Sequence, residues 1–100
     1  MMPDEPPFRV SWSQNAVAAL KVLLRKAKVS GRGQELIQIV KTIDDRLRRE
    51  PRLLGEIYRS RGAVEDYLAV RDFLAVDFAV DKVRNLVLVR TCRALSGHGF

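Results

Sequence analysis

One hundred residues, 47% hydrophobic and 30% charged, have the balance of a single folded domain with one modest core, which excludes a disordered chain and a two-domain protein. The one cysteine, Cys92, excludes an internal disulfide framework; no apolar run is long enough to cross a bilayer, and the acidic, proline-rich start is no secretory signal. Eighteen Lys and Arg against twelve Asp and Glu leave a net charge of +6, so a polyanion or an acidic protein is the favoured kind of partner, in a reducing, cytoplasmic setting.

In chain order, residues 1–7 read as a flexible leader. Phe8-Arg9-Val10-Ser11-Trp12 alternates apolar and polar side chains, the signature of a half-buried strand, with Trp12 on the core side. Ser13 is placed to cap a helix over residues 14–29, whose apolar face is Ala16, Val17, Leu20, Leu23, Leu24 and Ala27 and whose other side carries Lys21, Arg25, Lys26 and Lys28. Ser30-Gly31-Arg32-Gly33 breaks the helix. It is no phosphate-binding loop, because it follows a helix rather than a strand. A second helix over residues 34–49 buries Leu36, Ile37, Val40, Ile43 and Leu47 and ends before Pro51. The two helices should form an antiparallel hairpin.

Residues 52–62 read as an exit loop. Three apolar, β-branched runs follow at residues 64–70, 73–80 and 86–92, joined by connections short enough for hairpins. This is a three-stranded antiparallel meander. In its central strand Leu74, Val76, Phe78 and Val80 should pack on the helices, while Phe73, Ala75, Asp77 and Ala79 look outward. Cys92 falls in the last strand as a buried thiol, and residues 94–100, with His98, read as a loosely held tail. The fold class is α+β: N-terminal strand, helix hairpin, meander, in one domain over residues 8–93. Charge is uneven. Residues 21–61 hold twelve basic and five acidic side chains, so the positive potential belongs to the helices and their exit.

This order of elements resembles the RelE/ParE toxin superfamily, whose members are toxins of toxin–antitoxin pairs. The resemblance spans nearly the whole chain. Phe8-Arg9-Val10-Ser11-Trp12-Ser13 resembles the family's opening strand and capped helix. Leu47-Arg48-Arg49-Glu50-Pro51-Arg52-Leu53-Leu54-Gly55-Glu56 is similar to its second-helix ending, Arg71-Asp72-Phe73-Leu74-Ala75-Val76 to its hairpin and strand, and Thr91-Cys92-Arg93 to the end of its last strand.

The resemblance implies one of two activities. RelE-like members cut mRNA in the ribosomal A site without a metal, using basic residues that neutralise the phosphate; ParE-like members inhibit DNA gyrase. In both, an antitoxin wraps the toxin, and an acidic antitoxin is the implied partner here. Arg93 matches the late-strand arginine, with Arg90 and Arg71 as the other catalytic candidates. The family's basic pair on the first meander strand falls where this chain has Glu65, Asp66 and Tyr67, and its central-strand arginine falls on Phe73 or Leu74. The implied function is therefore a toxin-like protein that binds a ribosomal, nucleic-acid or topoisomerase target. Ribosome-dependent mRNA cleavage and a non-toxic interaction domain are the alternatives. Target-binding candidates are Arg59, Arg61, Tyr67, Arg48, Arg49 and Arg52. If there is a site, its rim is Arg59, Arg61, Tyr67, Arg71, Arg90 and Arg93; competing with that role, these arginines would serve as edge charges that discourage strand aggregation. No cofactor is implied. His and Cys are too few for a zinc site, and a homo-oligomer is compatible with the sequence.

Overall fold

A computed structural model of the chain describes residues 7–95. The expectations for residues 1–6 and 96–100, His98 among them, lie outside the described residues. Of the segment read as a tail, Ala94 closes the last strand, and the Leu95 amide donates to the Phe73 carbonyl at 2.8 Å.

The elements run β1 (Arg9–Trp12), α1 (Gln14–Val29), α2 (Gly33–Arg49), α3 (Pro51–Leu54), β2 (Glu56–Arg61), β3 (Val64–Arg71), β4 (Leu74–Asp81) and β5 (Leu86–Ala94). They form one five-stranded sheet in the order β1-β5-β4-β3-β2. Strands β2 to β5 pair antiparallel, and β1 closes the other edge parallel to β5. The α+β architecture is the one expected, with one strand more in the meander. Residues 56–61 form β2 where the sequence suggested a loop. All six of its side chains are exposed, so it lacks the apolar alternation that marks a half-buried strand.

Local chemistry sets the helix ends. The Ser13 hydroxyl accepts from the Ala16 amide at 3.1 Å, satisfying one of the unpaired donors of the first turn. At the other end of α1, Gly31 takes φ +73. There the Arg32 amide donates to the Ala27 carbonyl at 2.7 Å and the Gly31 amide to the Lys28 carbonyl at 3.1 Å, the paired bonds of a Schellman motif. Pro51 ends α2 and opens the single turn of α3, where its missing N–H costs nothing.

One core lies between the helices and one face of the sheet. Leu74, Val76, Phe78 and Val80 of β4 are buried there with Val87 and Val89 of β5 and Leu36, Ile39, Ile43 and Leu47 of α2. Three assignments shift. Ile39, not Ile37, is the buried isoleucine of that turn of α2, and Val17 of α1 is 38% exposed. Phe73 belongs to the core rather than the outward set. It sits in the two-residue β3–β4 turn beside left-handed Asp72 (φ 53), is 2% exposed, and lies under the Arg32 guanidinium at 4.5 Å. Trp12 packs on the core edge and donates from Nε1 to Asp44 at 2.9 Å. Cys92 is buried; its Sγ lies 3.8 Å from the Ala16 carbonyl, and burial pushes the thiol up to about 11.

Candidate functional site on the open face of the sheet

Among the described residues no helix covers the second face of the sheet. Strand register puts Asp66, Leu68 and Val70 of β3 there, with Ala75, Asp77 and Ala79 of β4 and Leu88, Thr91 and Arg93 of β5. Two register shifts alter this face. One falls between Ile57 and Arg59 of β2, the other on β5 opposite Asp77 and Phe78, at Arg90. A bulge adds one residue to a strand and re-aims a side chain. Here the added residues are Tyr58 and Arg90, and both reach over the open face to Asp77.

The result is a closed polar network. Asp66, fully buried, receives Arg59 Nε at 2.7 Å, Arg61 Nη2 at 2.7 Å and Nε at 2.9 Å, and lies 3.0 Å from Arg90 Nη1. Arg90 Nη2 also donates to Asp77 and to the Tyr58 oxygen, each at 2.7 Å, and the Tyr58 hydroxyl donates to Asp77 at 2.9 Å. The Arg61 hydrogen bonds lead in holding the Asp66 carboxyl far below the usual carboxylate range, against the opposing effect of burial; Arg59 and Arg90 add to them. Burial, then the bond to Asp77, pushes the Tyr58 phenol up, so it is protonated at neutral pH. The Ser13 hydroxyl donates to the Arg90 carbonyl at 2.8 Å, tying the start of α1 to the β5 bulge.

This network divides the open face. On one side is a depression of about 500 Å³ lined by Tyr58, Leu68, Ala75, Asp77, Thr91 and Arg93. On the other is one of about 330 Å³ flanked by Arg61, Val64, Leu86 and Leu88. Arg93 projects into the larger depression and makes no ion pair among the described residues.

The sequence candidates therefore scatter. Arg90 and Arg93 share the open face, as do Arg59 and Arg61. Arg71 does not join them. It pairs with Leu74 at the end of β3 and lines a groove with Glu35, Gln38 and Thr42 of α2. Tyr67 lies in the core, 5% exposed and stacked on Phe78 with ring centroids 5.3 Å apart. Its hydroxyl donates to Glu65 at 2.9 Å and accepts from Arg52 at 3.3 Å. The Tyr67 bond leads in lowering the Glu65 carboxyl, and Lys82 and Arg52 reinforce it. Arg48 and Arg49 pair with Asp44 and Asp45 one turn back on α2, at 2.7 and 3.1 Å. Tyr58, Asp66 and Asp77, which organise the open face, were not singled out as site residues from the sequence. Tyr58-Arg59-Ser60-Arg61, recognised as a strand beside the Glu65-Asp66 run, would have been the signal for them. Among the described residues no three His, Cys, Asp or Glu side chains are placed to hold a metal ion, and no helix is long and apolar enough to cross a membrane.

A strand, a helix hairpin and an antiparallel meander in this order make a RelE-like fold. Two solved structures carry it. A chain of the toxin–antitoxin complex RelBE2 from Mycobacterium tuberculosis superposes with a TM-score of 0.68 at 19% identity, over 89% of this chain and 98% of that one. A chain of the archaeal RelE–RelB complex from Pyrococcus horikoshii OT3 superposes with a TM-score of 0.61 at 15% identity, over 91% and 98%. No family model matches the sequence, and neither does any curated protein.

Proposed function

We propose that this chain is the toxin of a toxin–antitoxin pair, that an acidic antitoxin holds it, and that it acts by binding a cytoplasmic target rather than by cutting RNA. The RelE-like fold supports the toxin role, since the two structures compared above are toxin–antitoxin complexes. The observation that carries the binding mode is the convergence of Arg59, Arg61 and Arg90 on Asp66 and Asp77. Metal-free cleavage needs uncompensated positive charge where the phosphorane forms. Here three guanidinium groups already face two carboxylates at hydrogen-bonding distance. Ribosomal and topoisomerase surfaces both suit such a binder. Induced expression in a bacterial host tests the proposal: growth should arrest, and normal growth at good soluble expression would remove the toxin reading.

One observation favours ribosome-dependent mRNA cleavage as a second reading. Arg93 stands without a carboxylate partner among the described residues, in a depression that also presents Tyr58, Asp77 and Thr91. Under that reading Arg93→Ala abolishes transcript cleavage while the protein stays folded; cleavage unchanged in the variant would discard it.

A further inference from the structure

The edge of a sheet offers unpaired N–H and C=O groups to another strand. At one edge of this sheet β1 lies against α2: the Phe8 amide donates to the Arg48 carbonyl at 3.0 Å, and Trp12 Nε1 to Asp44 at 2.9 Å. The other edge is β2, which pairs with β3 on one side and with no described strand on the other. All six of its side chains are exposed. Charges and bulges commonly blunt such an edge, and β2 has both. Its arginines, however, turn back over the open face: Arg59 Nε and Arg61 Nη2 each donate to Asp66 at 2.7 Å. Their charge faces inward rather than out past the strand.

The sequence of β2 is complementary to itself. When two strands pair, facing residues must lie on the same side of the sheet. Pairing with β3 puts Glu56, Arg59 and Arg61 on the open face, opposite Leu68, Asp66 and Val64, and puts Ile57 and Ser60 on the helix face, opposite Tyr67 and Glu65. Tyr58, at the bulge, joins the open-face set through its bond to Asp77. Consider two copies of β2 set antiparallel. Of the registers that pair four or more of the six residues, one matches faces throughout, and it pairs all six. It sets Glu56 against Arg61 of the second copy, Ile57 against Ser60 and Tyr58 against Arg59. Glu56 makes no ion pair among the described residues. In this register it stands directly opposite one arginine of the second copy and diagonal to another, both within reach of a long side chain.

We infer that the free edge of β2 is a docking surface for the β2 edge of a second copy of this chain, joining two five-stranded sheets into one of ten strands. The inference stands apart from the proposed function. The two-fold axis between antiparallel strands runs perpendicular to the sheet, so the contact is isologous and both open faces look the same way. The two Asp66 networks then flank the joint, and the two depressions that hold Arg93 share one surface. A strand of unrelated sequence would gain the same main-chain hydrogen bonds. It would not gain the Glu56–Arg61 pairing, which two copies of this chain supply twice.

Sedimentation of the purified protein tests this. The weight-average mass should rise from the 11.4 kDa of one chain toward twice that value as concentration is raised into the high micromolar range. Glu56→Lys sets like charges opposite each other at both ends of the joint and should weaken association about tenfold. Asp45→Lys, the same charge change at an exposed site of α2, should leave it nearly unchanged. Disulfide trapping reads the register. Ile57→Cys mixed with Ser60→Cys should cross-link on oxidation, since opposed residues stand about 5 Å apart. Either variant alone should not, because its two cysteines are three residues out of register, about 10 Å apart. The native Cys92 is buried and does not compete. The mass of one chain at every concentration would overturn the inference and leave the edge to a strand of another protein. So would equal weakening by Glu56→Lys and Asp45→Lys, or cross-linking as strong in the single variants as in the mixture.

Discussion

Asp66 lies wholly inside the molecule with three guanidinium groups converging on it. A buried carboxylate is tolerated only when paired and hydrogen-bonded, and removing one member of such a set strands the others. The arginines keep part of their surface in water, which moderates the loss. Asp66→Asn should therefore lower stability by about 2 kcal/mol in denaturant unfolding, the cost of leaving charged partners poorly satisfied; a loss below about 0.5 kcal/mol would mean that solvent replaces the carboxylate. The same residue sets an acid limit. Its folded pKa is depressed, so its contribution is complete above the unfolded carboxylate value of about 4 and is lost as pH falls from there toward the folded value. Glu65 is shifted in the same direction by Tyr67, Lys82 and Arg52. Unfolding midpoints should fall as pH drops from 5 to 3, and fall less steeply in Asp66→Asn.

At the scale of elements, the two bulged strands govern what the open face presents. Without the shifts at β2 and β5, strict alternation would not place Tyr58 beside Arg59, or Arg90 beside Thr91, on one face. Close backbone packing fixes where β2 begins. A Cβ added at Gly55 would stand 2.8 Å from the Leu68 carbonyl oxygen and 3.1 Å from Ala69 Cβ. Gly55→Ala should cost about 1–3 kcal/mol as β2 is pushed from β3, a loss read from thermal or denaturant unfolding; an unchanged midpoint would show that the strand gives way freely. The helices and the three inner strands were legible from periodicity, because each buries a face and its apolar spacing reports it. The edge strand β2 was not, because Ile57 and Tyr58 stand about half exposed and nothing in Glu56–Arg61 alternates. The site was legible only in its parts. Arg59, Arg61 and Arg90 were named, but a bulge leaves no mark in a sequence, so their convergence on Asp66 was invisible. Tyr67 reads like a surface tyrosine until register sets it against Phe78.

For the whole molecule, the net charge of +6 is not spread evenly after ion pairing. The sheet face is close to neutral at its centre, α2 carries alternating pairs, and α1 keeps its cations uncompensated among the described residues. A RelE-like fold with Arg59, Arg61 and Arg90 tied to Asp66 and Asp77 should grip a polyanionic target without cleaving it. The most direct measurement is transcript integrity in cells arrested by induced expression, mapped by primer extension on several abundant mRNAs. The account predicts arrest with intact transcripts. Cuts within translated codons during arrest, lost in Arg93→Ala, would contradict it and assign catalysis to the open face.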